Sequence, residues 1–178
     1  MVFDTQAQIA FSSHEPDWER ERKTVFQWAP SRSLLASIRA YQRHGRGGGP
    51  LSVMLRRAAV LRHRFWSIVT GADIPLNCQL GGGLLLPHPN GIVIHPDATI
   101  GTNCLILQQV TIGIVDSSGA PRLGNHVDCG AGAKILGAIA IGDDVLIGAN
   151  AVVLTDIGVG CTAVGIPARV VRTSRALP

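Results

Sequence analysis

The sequence predicts a mainly β fold, a three-sided β-helix preceded by a short α-helical segment, and three observations carry that prediction. All eight aromatic residues lie in residues 1–66, so the last 112 residues have none. Seventeen of the 21 glycines fall in that aromatic-free part. There, apolar residues recur every six positions, a period so short that each repeat buries its face only against its neighbours. Small branched side chains must therefore form the core in place of aromatic rings.

Composition and charge exclude several classes of protein. With 46% apolar and 16% charged residues, the 178-residue chain can bury a core and is too apolar to be disordered. Residues 1–66 carry a net charge of +6 and residues 67–178 a net charge of −2. The excess positive charge comes mostly from arginine, and these arginines form no basic-aromatic motif. We therefore expect no nucleic-acid partner. No run approaches the ~18 apolar residues of a membrane span and no signal region is evident, so a cytoplasmic location is the default expectation.

The four cysteines are 25 to 32 residues apart and form no CxxC pair: Cys78, Cys104, Cys129 and Cys161. This spacing indicates neither a zinc site nor a dense disulfide framework. We expect four buried thiols.

The aromatic-rich part, residues 1–70, is predicted to be an α-helical N-terminal segment. Residues 1–14 show no period and are expected to form a loose arm. A first helix is predicted from Glu15, with acidic residues in its first turn, and it ends at Pro30. Ser31 is expected to cap a second helix, because the apolar residues that follow it are spaced three and four apart.

A glycine-rich stretch, GRGGGP, ends the second helix at Gly45 to Pro50. The third helix is predicted from Leu51 to about Val69, with its arginines largely outside the apolar positions. The β-helix domain is then assigned to residues 71–178.

The period of six defines the β-helix. Its positions are Ile74, Leu80, Leu86 and Ile92; then Ile94, Ile100, Ile106 and Ile112; then Leu123, Cys129, Ile135, Ile141, Ile147, Val153 and Val159. Three faces of six residues make one triangular coil of eighteen, with a small aliphatic side chain at each inward position and Gly or another permissive residue at the corners. A narrow prism of this kind has no room for an aromatic ring.

Two irregularities interrupt the period. It slips by two residues between Ile92 and Ile94, and the spacing from Ile112 to Leu123 is eleven. The second gap, IVDSSGAPR from Ile114 to Arg122, is polar and rich in turn residues, so it should leave the prism as a loop. Interruptions of a rigid scaffold are places where functional sites tend to lie.

His88 is the first candidate for chemistry, because it lies in the sequence PHPNG just before the first slip. Asp73 precedes it by fifteen residues, which places the two on successive coils about 4.8 Å apart. A carboxylate there could hold the imidazole tautomer while the other ring nitrogen accepts a proton from an alcohol.

The motifs HPNGIVI, QQVTIG, GAGAKILG and GIPAR occur in this order, and the similarity covers about residues 50–172. In these features the sequence resembles the serine acetyltransferase group of the hexapeptide-repeat acyltransferases. The resemblance implies a left-handed parallel β-helix, a homotrimer and acetyl-CoA as the acetyl donor. It also implies that His88 is a general base oriented by Asp73, and that no acyl-enzyme forms.

The same resemblance places coenzyme A in the groove between adjacent prisms, largely on backbone groups. Carried over by position, the binding residues are Gly113 after the TIG corner, Ala131 in GAGAKILG, Ala149 in IGANAVV, and Arg169 in GIPAR. Packing at corners also requires Ala and Gly, so these positions have a structural explanation as well.

The chain departs from the family where the acceptor would bind. The family's Asp for the substrate amine is replaced by Pro87, and its Arg-His pair for the carboxylate by Gly119 and Ala120. An unpartnered buried charge costs several kcal/mol, so serine should bind poorly unless Arg122 or Asp116 substitutes. We therefore expect O-acetylation of a neutral hydroxyl, of a sugar or polysaccharide precursor, with serine O-acetylation in cysteine synthesis as the alternative.

Two other classes of function stay open from the sequence: a metal-dependent hydratase and a non-catalytic scaffold. His88, His95 and His126 could suggest a three-histidine metal site. Their spacings, however, do not place three imidazoles on one edge in an obvious way. We expect no metal and solvated corner positions for His95 and His126.

Overall fold

A computed structural model of the protein describes residues 15–24, 27–45, 47, 49–117 and 119–173. The arm predicted for residues 1–14 lies outside the described residues. The two long helices are α1 (Pro30–His44) and α2 (Pro50–Thr70). The strands are β1 (Gln79–Leu80), β2 (Val93–Ile94), β3 (Thr99–Ile100), β4 (Leu105–Ile106), β5 (Thr111–Gly113), β6 (Arg122–Leu123), β7 (Asp128–Cys129), β8 (Lys134–Leu136), β9 (Ala140–Ile141), β10 (Leu146–Ile147), β11 (Val152–Val153), β12 (Cys161–Gly165) and β13 (Ala168–Thr173).

The helix predicted from Glu15 to Pro30 is wrong. The described part of this segment contains one 3-10 turn, Trp18–Arg20, which Asp17 caps by accepting the N–H of Glu19. The backbone of this turn makes short-range bonds, such as the N–H of Glu21 to Trp18 O over 3.1 Å, and it also bonds to the prism, where the N–H of Asp17 donates to the Asn103 side chain over 2.7 Å. These long-range partners have no counterpart in a local helical pattern.

The second and third predicted helices are confirmed, with one correction. Ser31 is not the cap of α1, because the cap position is Ala29 and no side chain bonds there. Pro30 occupies the first turn, where its missing N–H costs nothing and its fixed φ favours the helix. α2 ends at Thr70, where Gly71 adopts a left-handed conformation with φ of 65°.

Three parallel sheets form the faces of the prism. The first face contains β1-β3-β6-β9, the second β4-β7-β10-β12 with β13 outside it, and the third β2-β5-β8-β11. Inward residues are aliphatic or Cys and almost fully buried, as the period of six predicts. All four cysteines are buried free thiols, which confirms the expectation from their spacing.

The two interruptions are confirmed, and each lengthens one coil. Leu85 pairs with Leu105, twenty residues on, whereas Val93 pairs with Thr111, eighteen on, so two extra residues lie in the turn that contains His88. Thr99 pairs with Arg122, twenty-three on, and the extra residues form the predicted loop after β5. Both interruptions lie at corners and leave the stacking of the faces intact.

Val159 is not an inward residue, contrary to the period. Ile141 pairs with Ile157 only sixteen residues on, so the last coil is two residues shorter than the regular eighteen. Ile157 takes the inward position and Val159 is 67% exposed.

The two ends of the prism are closed differently. Leu34, Leu35 and Ile38 of α1 join the buried core at its base. β12 and β13 form an antiparallel pair at the other end. Among the described residues, neither helix is long and apolar enough to cross a lipid bilayer.

Candidate active site

His88 lies at the edge between the second and third faces. We call this the His88 edge; it is formed by the stacked turns at residues 87–91, 108–109, 131–132 and 149–150. The backbone joins the turns, because the N–H of Gln109 donates to Asn90 O over 2.9 Å and that of Gly132 to Gln108 O over 2.8 Å. The His88 side chain is exposed, so its ring is accessible at this edge.

Asp73 lies at the foot of the third face. Its N–H donates to Ile92 O over 2.8 Å and its carbonyl accepts the N–H of Ile94 over 2.9 Å. Asp73 therefore pairs with Val93, one coil away, while His88 lies five residues before Val93 in the adjoining turn. Both side chains are exposed, and in the described residues no hydrogen bond or ion pair joins them.

Two of the four predicted coenzyme positions stack directly along the His88 edge. The N–H of Asn150 donates to Ala131 O over 2.8 Å, which places Ala149 one coil beyond Ala131. With about 4.8 Å per coil, Ala149 lies about 14 Å along the prism from His88. In the described chain the N–H groups of Ala131 and Ala149 have no acceptor, so both can donate to a ligand.

Arg169 lies at the top of the same edge. It faces Val164 in the pairing of β13 with β12. Val164 packs against Gly148: a Cβ added to Gly148 would lie 2.7 Å from the Val164 side chain. Arg169 and Ala149 are thus neighbours across β12.

Gly113 is not brought to this edge. It ends β5 and pairs with Leu136 at the end of β8, so the width of the third face separates it from Ala131. We call its edge the loop edge, because the loop between β5 and β6 leaves the prism there. Within one chain the structure therefore groups three of the four predicted coenzyme positions with His88.

A groove of about 240 Å³ adjoins Ala149 on the second face. Its lining includes Leu105, Asp128 and Leu146. These residues pair across three successive coils, with Asp128 between the two leucines. Burial raises the pKa of Asp128, while the charges of His126 and Arg20 oppose that shift. Sequence reasoning missed this residue; the available signal was a lone carboxylate between two leucines in one column of the repeat.

The loop edge holds Gly119 and Ala120, which the sequence predicts in place of a carboxylate-binding pair. They line a cavity of about 470 Å³ together with Arg122, Asp97 and Asp156. Asp156 accepts the N–H of Ala140 over 2.8 Å. The Arg122 guanidinium thus lies beside the loop, but the Asp97 and Asp156 carboxylates line the same cavity.

The three histidines considered for a metal site lie on three different edges. His95 lies at the loop edge and accepts the N–H of Asp97 over 3.2 Å. His126 lies at the edge between the first and second faces, with its Nδ1 3.1 Å from Asp144. In the part of the chain that the structure describes, no three His, Cys, Asp or Glu side chains are placed to hold a metal ion.

No family model matches the chain. A serine acetyltransferase of Synechococcus elongatus is 46% identical over 110 residues, which cover 60% of this chain and 45% of the relative. A soybean serine acetyltransferase structure in complex with serine is 34% identical, with a TM-score of 0.60, and covers 78% of this chain and 70% of that one. A serine acetyltransferase structure in complex with CoA is 30% identical, with a TM-score of 0.63, over 81% of this chain and 58% of that one.

The fold and the stacked edge define a left-handed parallel β-helix of the acyltransferase type. The chain belongs to the serine acetyltransferase-like family, as the motifs predict. It spans about half the length of the curated relatives it matches, such as 45% of the Synechococcus elongatus protein.

Proposed function

We propose that the protein is an acetyl-CoA-dependent O-acetyltransferase in which His88 is the general base. The observation that carries the proposal is the single edge that holds His88, Ala131 and Ala149, with free backbone N–H groups at both alanines. An extended ligand with amide carbonyls could lie along that edge and present its thioester near the imidazole. The relatives' names, and a similar structure solved with CoA, support this donor.

In the proposed reaction His88 takes the proton of the acceptor hydroxyl, and the oxygen attacks the thioester carbonyl. The carbon–sulfur bond breaks, acetyl remains on the acceptor oxygen, and the proton passes from His88 to the departing thiolate. Asp73 lies one coil from the His88 turn. Its proposed role is to hold the imidazole tautomer through the other ring nitrogen once the substrates are bound.

Serine is the acceptor that the comparisons favour, and we propose serine O-acetylation as the first function to test. The curated relatives are named serine acetyltransferases, and two similar structures are solved with serine. The sequence-based expectation of a sugar acceptor gains no support from these relatives. It stays as a second candidate because Pro87, Gly119 and Ala120 replace the charged groups that the family resemblance assigns to the amine and the carboxylate.

The proposed assembly is a homotrimer. Gly113 and the Gly119–Ala120 loop lie at the loop edge, a face away from His88. A neighbouring copy that placed its loop edge against the His88 edge would bring all four predicted coenzyme positions to one groove. This arrangement accounts for the separation of Gly113 within a single chain.

The test measures coenzyme A release from acetyl-CoA with L-serine and with a panel of neutral sugars. Saturable serine turnover, with sugars no better than water, would establish the first candidate. Turnover of a sugar with serine inactive would establish the second. Release with neither acceptor would contradict acetyl transfer to these hydroxyls.

A further inference from the structure

One side of α2 carries an exposed apolar row. It comprises Leu51, Met54, Ala58, Leu61, Phe65 and Ile68, spaced three and four residues apart, and we call it the α2 stripe. The five large side chains are between 55% and 83% exposed. The stripe extends for about 26 Å at 1.5 Å per residue. A continuous apolar surface of this kind marks an interaction site.

The stripe is not the side by which α2 packs on the protein. Ala59 and Thr70 are buried, and they lie about 140° around the helix from the middle of the stripe. α2 therefore packs on the rest of the protein through one side and leaves a second apolar side uncovered.

Arginines flank the stripe on both sides. Arg57 and Arg64 lie about 80° from its middle in one direction, and Arg62 about 70° in the other. All three are exposed, and in the described residues no carboxylate pairs with them. Residues 30–72 contain eight arginines and no Asp or Glu. An occupant of the stripe must therefore be apolar at its centre and anionic at its borders.

We propose that the α2 stripe binds the surface of an anionic phospholipid membrane. Leucine, methionine and phenylalanine side chains would enter the acyl boundary, and the flanking arginines would extend to the phosphates. Pairing of the stripe with the same stripe of a second copy is less favourable, because identical helices would set arginine against arginine with no acidic residue on α2 to pair with them. The exposed Trp28, whose ring lies 5.7 Å from Trp66, adds an aromatic side chain near the same end of α2 as Phe65. The proposal is independent of the proposed enzymatic function.

The experiment sediments the full-length protein with vesicles of equal parts phosphatidylcholine and phosphatidylglycerol, and with vesicles of phosphatidylcholine alone. We expect binding only to the anionic vesicles, weakened by added salt. Leu61→Glu should weaken partitioning about ten-fold or more, because it replaces an exposed apolar group that would enter the lipid with a charge that the lipid repels. Val159→Glu is the matched control, since Val159 is similarly exposed but lies on the last coil of the prism; it should bind as the unsubstituted protein does.

Arg57→Gln with Arg64→Gln tests the charge separately, because this pair leaves the stripe intact. It should weaken binding to the anionic vesicles several-fold. Equal binding to both kinds of vesicle, or none to either, would overturn the proposal. The proposal would also be overturned if the unsubstituted protein bound no vesicles and the Leu61→Glu variant formed a smaller assembly in light scattering. The stripe would then be an interface between copies.

Discussion

Cysteine side chains show how the prism changes the chemistry of single residues. Burial raises the pKa of the Cys104 thiol to about 11 and that of Cys78 to about 12. The pKa of a solvent-accessible cysteine thiol is about 9.0. Because the unfolded chain exposes these thiols, it loses their protons at lower pH than the folded chain does. Their contribution to stability is therefore complete below pH 9 and declines as the pH rises toward the folded values.

Replacing Cys104 with alanine should flatten this alkaline decline. The protein should lose stability from about pH 9 upward, and Cys104→Ala should lose less over the same interval because one thiol no longer ionises on unfolding. Urea denaturation at several pH values measures both slopes. Equal slopes for the two proteins would show that Cys104 is not the group that ionises.

At the scale of elements, a buried ion pair joins the N-terminal segment to the prism. Arg39 of α1 contacts Glu21 over 2.8 and 3.1 Å and donates to the carbonyls of Leu80 and Gly81 over 2.6 Å each. Glu21 also accepts the N–H of Leu84 over 3.1 Å. The Arg39 and Glu21 side chains are 18% and 9% exposed, so both charges are largely shielded from water.

Arg39→Ala should destabilise the fold by about 3–5 kcal/mol, because it leaves the Glu21 carboxylate buried without a charged partner. Arg22→Ala is the control, since the Arg22–Glu19 pair is about three-quarters exposed. It should cost no more than about 0.5 kcal/mol. Chemical denaturation measures both; similar losses for the two variants would show that burial does not govern these ion pairs.

Across the whole molecule, local sequence patterns predicted the features that depend on neighbouring residues. The period of six located the inward residues, and its two slips located the long turn of His88 and the loop after β5. The segment around Asp17 was mispredicted because its partner Asn103 is 86 residues away. Val159 was mispredicted because the register of the last coil depends on how it closes against β9.

The candidate site was also predicted from the sequence only in part. Motifs placed His88, Ala131 and Ala149 in the repeat, and stacking of equivalent turns brings them to one edge. Gly113 lies away from that edge because it ends β5, at the opposite side of the third face from the His88 turn. The roles of these residues, and of Asp73, stay predictions.

The central claim is that chemistry occurs at the His88 edge, and coenzyme A release by two histidine variants tests it most directly. His126 is the matched control, because it too lies at a coil corner and its Nδ1 is 3.1 Å from Asp144, but on a different edge. With an accepted hydroxyl substrate, His88→Ala should lose about 10²-fold or more in rate while keeping its assembly state, and His126→Ala should stay near the unsubstituted rate. A His88→Ala variant that retained most of its rate would contradict the account and make His95 the next candidate base.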